Sequence, residues 1–587
     1  MAVMLEEVKN LNEELVKWIK EVAEITKPDD ILICDGSDEE FEYLVNLLIE
    51  EGSLIKLNEE KFPNCFLYRS SSFDVARSEE ATYVCTKDRE EAGPNNNWMD
   101  PYLAKKKLFK LLEGCMKGRK MFVVPYVLGP ISSEYSQVGI EITDSPYVVI
   151  NLRFLTRMGK IALEKLNKTK VFVKGIHSMG NLDPKNKYIC HFPEEMLIIS
   201  INSNYGGNSL LSKKCHALRL ASYKARNEKW MAEHMLVIGL ENPDGKIIYI
   251  TGAFPSASGK TNLATLSPSG KYSNWKVWLI SDDIAWMYVG RDGRLYAINP
   301  EYGFFGVIVG VNEKVTPNLM KTIKRNTIFT NVALTKDLTP WWEGLGEYPQ
   351  ELLDWQGNPW KPGKPAAHPN SRFTTYLKQY PFISPYFEDP NGVPVSVILF
   401  GGRRSKVIPL VFETFSWEHG VLAGAMMRVE TTAAAEGEVG RLRFDPMAML
   451  PFCGYNLGDY FNHWLEMGKR IKHKPRIFYV NWFRKNKEGK FIWPGFNENI
   501  RVLKWIWDRI EGKVGVEKTP IGYIPRKEDI DFEGLNIKDE EIDELLRVDI
   551  NEWLKEFEEA KKFFEKFGNR FPKELWDIFY EIMDNLK

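Results

Sequence analysis

The feature that constrains this chain most is the segment Gly252–Asn262, with the sequence GAFPSASGKTN. A strand-like apolar run, Ile247–Ile250, precedes it, and a helical pattern follows it. A strand, a loop ending in Gly-Lys-Thr and a helix together indicate a phosphate-binding loop. Its amides and the helix N-terminus hold phosphate oxygens, the lysine spans the outer phosphates, and the threonine hydroxyl binds a divalent cation. The sequence therefore predicts nucleotide binding through Lys260 and Thr261.

This loop departs from the usual pattern, which has glycine five residues before Gly259; here that residue is Phe254. An ordinary nucleotide hydrolase is therefore not indicated. A second apolar run, Val277–Ser281, ends in Asp282 and Asp283. Phosphate-loop proteins place the acid that organises the metal ion at such a strand end.

The rest of the chain predicts a mixed α/β fold, because strand-like apolar runs alternate with helical patterns. The strand-like runs include Ile31–Cys34, Met121–Tyr126, Tyr147–Leu152, Met196–Ile201 and Met235–Leu240. Helices are expected over residues 1–24, in one or two pieces over 210–235, and over the last 50 residues. The apolar face of the last helices is Trp553, Phe557, Phe563 and Phe564. Residues 330–395, rich in Pro, Gly and Trp, predict a loop-dominated insertion.

Composition excludes several classes of function. The formal charge is 78 − 80 = −2, so binding of nucleic acid by bulk charge is not expected. No run of about 18 apolar residues predicts a membrane span, and the acidic N-terminus lacks the pattern of a secretory signal. The seven cysteines are scattered without a CxxC pair. A disulfide framework or zinc site is therefore not expected, and a reducing cytoplasm fits best.

The loop Phe254–Leu263 resembles that of GTP-dependent phosphoenolpyruvate carboxykinases, and similar blocks follow one another in family order along most of the chain. These blocks are Asp74–Arg77, Met116–Arg119, Thr143–Tyr147, Tyr205–Leu211, Ala232–Met235, Asp282–Trp286, His368–Phe373, Phe400–Arg404, Asn481–Lys485 and Trp493–Phe496. The resemblance implies a two-lobed fold with the active site in the cleft between the lobes. It places the substrate lobe at residues 1–229 and the phosphate-loop lobe at 230–587.

The family reaction converts oxaloacetate and GTP reversibly into phosphoenolpyruvate, GDP and CO2. The resemblance implies that Lys214, His234 and Asp283 bind the divalent cation that stabilises the enolate oxygen as a Lewis acid. A lysine ligand must be deprotonated, which burial beside a dication favours. Two nitrogens and one oxygen suit Mn²⁺ better than Mg²⁺. Taken alone, His234 is more typical of a hydrogen-bonded core histidine than of a metal ligand, and Lys213-Lys214 is typical of a solvated pair.

The remaining site residues are also implied by the resemblance. The substrate-binding set is Arg77, Tyr205, Gly206, Gly207, Ser256, Asn370 and Arg372. The catalytic set is Arg77, Lys214, Ser258, Lys260, Arg372 and Arg403. The nucleotide-binding set is Ala257, Ser258, Gly259, Lys260, Thr261, Asn262, Arg403, Phe483, Phe491, Phe496 and Asn499. Thr261 would bind the Mg²⁺ that accompanies GTP, and Asp282 would order the waters of that ion. Taken alone, single arginines are typical of surface ion pairs and the aromatic residues of a core.

Two further features bear on chemistry. Residues 430–442 match the family's mobile lid, which would shield the enolate from water. Ser258 stands where the family usually has cysteine, so we expect resistance to thiol reagents. Two alternatives remain open at this stage: the same scaffold with another phosphoryl donor, and a nucleotide-binding regulator without catalysis. No nucleic acid or membrane partner is expected, and family members are typically monomers.

Overall fold

The computed structural model of this protein describes residues 11–432 and 439–587. The chain divides into two compact units, each built from separate stretches of sequence. The first unit contains the described residues up to Ala92, Asn96–Lys224 and Pro300–Pro381. The second contains Gly93–Asn95, Ala225–Asn299 and Phe382–Lys587. The sequence predicted one division of the chain, between residues 229 and 230. The structure differs at residues 300–381, which follow that division in sequence but pack with the first unit.

The strands, numbered β1 to β30 in chain order, are Asp30–Ile33, Leu54–Lys56, Cys65–Tyr68, Thr82–Val84, Asn97–Trp98, Lys120–Leu128, Gln137–Thr143, Arg157–Met158, Val173–Ser178, Tyr188–Phe192, Leu197–Ile201, Met231–Glu233, Met235–Glu241, Ile247–Ala253, Lys276–Ser281, Ala285–Val289, Leu295–Ile298, Gly303–Val307, Thr327–Thr330, Ala333–Thr335, Pro340–Trp341, Leu352–Leu353, Arg372–Tyr376, Val393–Gly401, Val411–Glu413, Arg428–Glu430, Leu442–Phe444, Arg476–Val480, Glu517–Thr519 and Gly522–Ile524.

The α-helices, numbered α1 to α16, are Glu13–Thr26, Asp38–Glu50, Arg89–Ala92, Pro101–Leu112, Pro146–Leu155, Lys160–Thr169, Gly206–Ser209, Ala221–Glu228, Lys260–Ala264, Pro317–Ile323, Trp417–Ala425, Leu457–Arg470, Asn499–Ile510, Asp539–Leu546, Ile550–Phe564 and Lys573–Asn585. A π-helix, Ser212–Leu220, precedes α8. Mixed α/β architecture is thereby confirmed.

The first unit is built on a nine-stranded mixed sheet in the order β1-β6-β7-β9-β11-β10-β4-β5, with β8 also paired to β6. Alternate residues of a strand face opposite sides of a sheet. In β6, Met121 and Val123 accordingly join a core with helices α1, α4 and α6, whereas Phe122 and Val124 join another with α2 and α5. Both faces are therefore covered by helices, which explains the near-continuous apolar sequence of β6.

A five-stranded sheet, β18-β23-β19-β3-β2, completes the first unit. Its strands β18, β19 and β23 come from residues 303–376, and β19 pairs in parallel with β3, with Phe329 opposite Leu67. This pairing is the physical reason that residues 300–381 belong to the first unit. Residues 330–395, predicted as a loop-dominated insertion, do contain long connections. They also contain the short strands β20 to β22, which form a small sheet.

The second unit contains an eleven-stranded sheet in which β14 lies between β13 and β24. It pairs antiparallel with β13 and parallel with β24. The terminal helices α15 and α16 pack through their aromatic face, as predicted: Trp553, Phe557, Phe563 and Phe564 are buried. The register of β13, β14, β15 and β24 decides which residues meet at one edge.

One predicted strand is wrong: Tyr147–Leu152 lies within the helix α5. Ser145 caps this helix by accepting a hydrogen bond from the amide of Val148, and Pro146 occupies its first turn. Nine of its ten residues are buried. An element buried on all sides loses the 3.6-residue periodicity that distinguishes a helix from a buried strand, so the apolar run was ambiguous.

The predicted lid lies partly outside the described residues, which omit 433–438. The flanking strands β26 and β27 pair antiparallel, with Glu430 opposite Leu442. The predicted N-terminal helix starts at Glu13 within the described part of the chain, with Asn12 as its cap. Across residues 11–432 and 439–587, no helix is both long enough and apolar enough to cross a membrane.

Candidate active site

Strand register in the second unit brings three loops to one edge of the sheet. Ala253, the last residue of β14, is opposite Met235, the first residue of β13, and opposite Phe400 near the end of β24. The residues next to these ends are the phosphate loop, His234 and Arg403. Strand β15 pairs antiparallel with β13 and ends at Ser281, so Asp282 and Asp283 reach the same edge.

The side chain of Lys260 joins two of the predicted metal ligands. Lys260 is the first residue of the helix α9. Its ammonium donates hydrogen bonds to Nε2 of His234 and to Oδ1 of Asp283. The Nε2 and Oδ1 atoms are themselves 3.0 Å apart. A cationic group is therefore held where the histidine and the carboxylate converge.

The contact of the second ring nitrogen fixes the tautomer of the neutral His234 ring. Nδ1 lies 2.9 Å from the carbonyl oxygen of Ala448. A carbonyl can only accept, so Nδ1 carries the proton, and in the neutral ring Nε2 presents a lone pair. This lone pair faces a carboxylate oxygen, an arrangement that a cation between the two stabilises. Histidines that bind metals commonly have their other nitrogen fixed by a carbonyl in this way.

The donor set therefore fits a divalent cation as well as an ammonium group. Within residues 11–432 and 439–587, no group of three or more His, Cys, Asp or Glu residues is arranged to hold a metal ion. The predicted set of Lys214, His234 and Asp283 contains only two residues of those types. Lys214 belongs to the first unit, and the other two belong to the second.

Arg403 is bound to the phosphate loop by three hydrogen bonds. Its amide donates to Oγ of Ser258 at 3.2 Å, and its Nε and Nη2 donate to the carbonyl oxygen of Ala257 at 3.2 and 3.1 Å. The loop has left-handed backbone at Ala257 (φ 59°) and Gly259 (φ 91°). Partial burial lowers the pKa of the Arg403 guanidinium from its usual value, but a guanidinium remains charged at neutral pH.

Three predicted aromatic residues lie next to this arginine. The Phe483 ring centroid is 6.0 Å from those of Phe491 and Phe496, with steep interplanar angles of 74° and 70°. The Arg403 guanidinium lies 4.1 Å from the Phe483 centroid. A methyl group at Gly259 would meet the Phe496 ring at 2.6 Å, so this ring lies directly on the phosphate loop.

Asn499 is buried at the start of α13, and its side chain has a fixed orientation. The indole nitrogen of Trp493 donates to Asn499 Oδ1 at 2.9 Å. Nδ2 is therefore the other end of the amide, and among the described residues it has no acceptor. A buried donor without an acceptor is costly unless a ligand supplies one.

In the first unit, Tyr205, Asn370 and Arg372 lie together. The Tyr205 hydroxyl donates to the Asn370 carbonyl oxygen at 2.6 Å. Burial raises the pKa of Tyr205, partly offset by Arg372, so its hydroxyl remains a donor. Nε of Arg372 is buried without a hydrogen-bond partner in the described part of the chain.

Gly206 and Gly207 differ in what a side chain would meet. The Arg372 guanidinium lies 5.4 Å from the centroid of the Phe305 ring. A methyl group at Gly206, where φ is 31°, would meet the same ring at 2.7 Å. At Gly207 nothing lies within 4 Å of the added atom. The backbone at Gly207 is therefore open to a ligand.

Lys214 lies in the π-helix Ser212–Leu220, in which it is half-buried and every other residue is buried. π-Helical turns are rare and occur often at functional sites. Its neighbour Lys213 forms a buried ion pair with Glu301. The two adjacent lysines thus have different environments, which the sequence did not predict. The sequence also provided no indication that Glu301 is the partner of Lys213.

The structure brings the predicted residues together in two sets. Arg372, Asn370, Tyr205 and Gly206 meet in the first unit. Ser258, Lys260, His234, Asp283 and Arg403 meet in the second, with the aromatic residues beside them. Ser256 is exposed in the phosphate loop, and Thr261 and Asn262 lie in the first turn of α9. The Ala448 carbonyl was missed, and no local sequence signal could have revealed it.

The chain matches two family models in sequence. The phosphoenolpyruvate carboxykinase N-terminal domain matches residues 17–226, and the phosphoenolpyruvate carboxykinase C-terminal P-loop domain matches residues 230–585. The chain belongs to the phosphoenolpyruvate carboxykinase family.

Relatives of similar length support this membership. The phosphoenolpyruvate carboxykinase [GTP] of Chlamydia pneumoniae is 51% identical over 592 residues, covering 98% of each chain. The protein of that name from Anaeromyxobacter sp. (strain K) is 51% identical and covers 96% of this chain and 95% of its own. The one from Thermoplasma volcanium is 52% identical and covers 96% of both.

Because the phosphate loop has Ser258 in place of the usual cysteine, we predict how the protein responds to thiol reagents. All seven cysteines lie among the described residues; Cys115 is half-buried and the other six are buried. Burial raises the pKa of Cys115 to about 11, so it reacts slowly as a thiolate. We therefore expect the wild-type protein to retain its activity during treatment with a maleimide.

The matched variant is Ser258→Cys. Ser258 is buried like the native cysteines, but it accepts a hydrogen bond from the Arg403 amide and lies next to the N-terminus of α9. Such surroundings lower the pKa of a thiol, so the variant should become sensitive to the maleimide and be protected by GTP. The measurement is residual activity against time with and without nucleotide. Rapid, GTP-protected inactivation of the wild type would contradict the prediction.

Proposed function

We propose that this protein is a GTP-dependent phosphoenolpyruvate carboxykinase. It decarboxylates and phosphorylates oxaloacetate to give phosphoenolpyruvate, GDP and CO2, reversibly. The observation that carries the proposal is the position of Lys260, whose ammonium lies between His234 and Asp283 at the edge that also bears the phosphate loop. Phosphate-binding and cation-binding groups are thus adjacent, as transfer of a phosphoryl group to an enolate requires.

His234 and Asp283 are proposed ligands of a Mn²⁺ ion, with Lys214 as the third. The fixed tautomer of His234 and its convergence with Asp283 support this assignment. When bound, the ion supplies Lewis-acid stabilisation of negative charge on oxygen. The Ala448 carbonyl oxygen orients the imidazole so that Nε2 presents its lone pair to the ion. Lys213 forms an ion pair with Glu301 and is therefore not proposed as a metal ligand.

The substrate is proposed to bind in the first unit. Arg372, whose buried Nε has no acceptor among residues 11–432 and 439–587, suits a carboxylate or phosphate oxygen. Arg77 is the second guanidinium. Tyr205 and Asn370 fix each other and form one wall, and the open backbone at Gly207 admits the ligand. Ser256 is the proposed substrate contact from the phosphate loop.

The nucleotide is proposed to bind in the second unit. The amides of residues 257–262 and Lys260 hold the phosphates, Arg403 contacts the transferred phosphoryl group, and Thr261 binds the Mg²⁺ of the nucleotide. Asp282 orders the waters of that ion. The purine contacts Phe483, Phe491 and Phe496; stacking on aromatic rings contributes on the order of 1–3 kcal/mol per base.

Asn499 gives a physical reason for the choice of guanine. Its buried Nδ2 donor requires an acceptor, and the six-position of guanine carries an oxygen whereas that of adenine carries an amino group. We propose that Nδ2 donates to this oxygen. A site built around a buried polar group rejects a ligand that leaves the group unpaired.

Replacement of Asn499 by aspartate tests this choice. The carboxylate keeps an acceptor for Trp493 but removes the donor, so we expect kcat/KM for GTP to fall about 100-fold and that for ATP to change less than threefold. A lost hydrogen bond to a buried polar group accounts for about 1–3 kcal/mol. The control is Asn551→Asp, at an exposed position. An equal loss with both nucleotides would assign Asn499 to folding rather than base choice.

The reaction itself is tested by phosphorus NMR of the purified protein with oxaloacetate, GTP, Mg²⁺ and a trace of Mn²⁺. Phosphoenolpyruvate and GDP should form in equal amounts, and ATP should replace GTP poorly. Formation of pyruvate without phosphoenolpyruvate would show that the protein decarboxylates oxaloacetate but does not transfer the phosphoryl group. GTP binding without turnover would favour a nucleotide-binding regulator. The lid at residues 430–442, the monomeric state and the cytoplasmic location stay predictions.

A further inference from the structure

The side chain of Asn208 makes one hydrogen bond on each side of Arg77. Its Oδ1 accepts from the amide of Ser78 at 3.1 Å, and its Nδ2 donates to the carbonyl oxygen of Ala76 at 3.1 Å. An amide hydrogen can only donate and a carbonyl can only accept, so these partners fix the orientation of the Asn208 side chain. Asn208 is 1% exposed, and it clamps the backbone immediately before and after Arg77.

Asn208 is itself part of the segment that carries Tyr205, Gly206 and Gly207. Its amide donates to the Tyr205 carbonyl oxygen at 3.0 Å. Its own carbonyl oxygen accepts from the Ser200 hydroxyl at 2.6 Å, which attaches the turn to β11. The side chain of Asn208 therefore ties the backbone of one proposed substrate-binding segment to the backbone of the other.

Asp74 makes a second connection between the same two segments. Its Oδ1 accepts from Nζ of Lys187 at 3.0 Å and from Oγ of Ser203 at 2.7 Å. Its Oδ2 accepts from the amide of Asn204 at 2.5 Å. Ser203 and Asn204 directly precede Tyr205. Every bond of this carboxylate therefore holds the loop before Arg77 against residues next to Tyr205 or against the buried Lys187.

Polar contacts, and not apolar packing, hold the loop that carries Arg77. Between residues 71 and 80 only Asp74 and Ser78 are buried, and both are anchor points. Phe73, the largest apolar side chain in that stretch, is 73% exposed. Without the hydrogen bonds, the loop has no buried hydrophobic group to define its backbone path.

We propose that Asn208 is a positioning residue for substrate binding. It sets the backbone path at Arg77 and thereby the position of the guanidinium relative to Tyr205 and Gly207, without contacting the reactants. The proposal rests on the substrate-binding role of Arg77 proposed above. Misplacement of a binding group by about 1 Å is sufficient to lower rates about 100-fold.

The first variant is Asn208→Ala, which removes both bonds. We expect KM for oxaloacetate to rise at least about 10-fold and kcat to fall less than about 10-fold, while KM for GTP stays within twofold. The GTP value matters because a general loss of folded protein would lower kcat without this split. Asn208→Asp, which retains the acceptor for Ser78 and loses the donor to Ala76, should also raise KM for oxaloacetate.

The control variant is Asn242→Ala. Asn242 is also buried, and its Oδ1 accepts from the amides of Asp244 and Lys246 in the turn between β13 and β14. Its loss should lower the melting temperature by a similar amount and leave KM for oxaloacetate unchanged. Melting temperature and binding of a fluorescent GTP analogue establish that each variant is folded.

A double-mutant cycle with Arg77→Lys decides whether Asn208 acts through Arg77. In the Arg77→Lys background, Asn208→Ala should lower kcat/KM for oxaloacetate less than about threefold, because the group it positions has already been altered. Equal losses in both backgrounds would overturn the proposal. An unchanged KM for oxaloacetate in folded Asn208→Ala would also overturn it, leaving the proposed function intact. If Arg77→Lys alone left oxaloacetate kinetics unchanged, the proposed role of Arg77 and this inference would both be wrong.

Discussion

Replacement of Lys260 by methionine is expected to lower kcat about 1,000-fold. Methionine has a similar length and no charge, so the variant removes the ammonium from the phosphate loop with little change in packing. Groups that stabilise charge developing in the transition state contribute about 100- to 1,000-fold each. Lys260 also contacts His234 and Asp283, so its loss also removes a contact between the phosphate loop and the proposed Mn²⁺ ligands. We therefore expect the upper end of that range.

Steady-state kinetics in both directions would measure this effect. The control is Lys276→Met, a half-exposed lysine of the same unit that pairs with Glu241 at the start of β15. It should retain nearly full activity, since exposed ion pairs contribute little. A Lys260→Met enzyme with a kcat within tenfold of the wild type would show that this lysine is not needed for phosphoryl transfer.

Replacement of Asp283 by asparagine is expected to lower Mn²⁺ affinity at least about 100-fold. The amide keeps the size of the side chain and loses the charge, and even groups that only orient a ligand alter affinity 10- to 100-fold. Activity should fall about 1,000-fold at fixed Mn²⁺ and recover in part when Mn²⁺ is raised. Electron paramagnetic resonance of free Mn²⁺ gives the affinity independently of turnover.

Asp292→Asn is the matched control for Asp283. Asp292 lies in the turn between β16 and β17, where its carboxylate accepts from the amide of Arg294 and the hydroxyl of Tyr296. Its Mn²⁺ affinity should equal that of the wild type. Lost activity with unchanged Mn²⁺ affinity in Asp283→Asn would assign Asp283 to holding Lys260 and not to the metal.

The phosphate loop was predictable because its chemistry is local. Strand β14, the loop and α9 follow one another within 18 residues of sequence, and the glycine, lysine and threonine have fixed positions. Asp283 was predictable for the same reason, since it lies two residues after the end of an apolar strand. His234 carries no such signal: only the register of β13 against β14 brings it to Lys260.

Contacts between distant segments were not predictable from pattern. The Ala448 carbonyl that orients His234 is 214 residues away in sequence, and Asn208 is 130 residues from Ser78. Both contacts depend on backbone groups, which every residue possesses, so residue type gives no indication. The helix α5 was mistaken for a strand for a related reason, since burial on all sides removes the periodicity that local prediction uses.

The pairing of β3 with β19 has a consequence for synthesis on the ribosome. The sheet that contains β2 and β3 gains its remaining strands only from residues 303–376. Strands β2 and β3 are made early but must wait for more than 230 further residues, including Ala225–Asn299 of the second unit, before their partner β19 emerges. At about 5–20 residues per second this delay lasts on the order of 10–50 s. During that time an apolar strand edge is unpaired, so nascent chains stalled between residues 70 and 330 should bind chaperones that protect such edges.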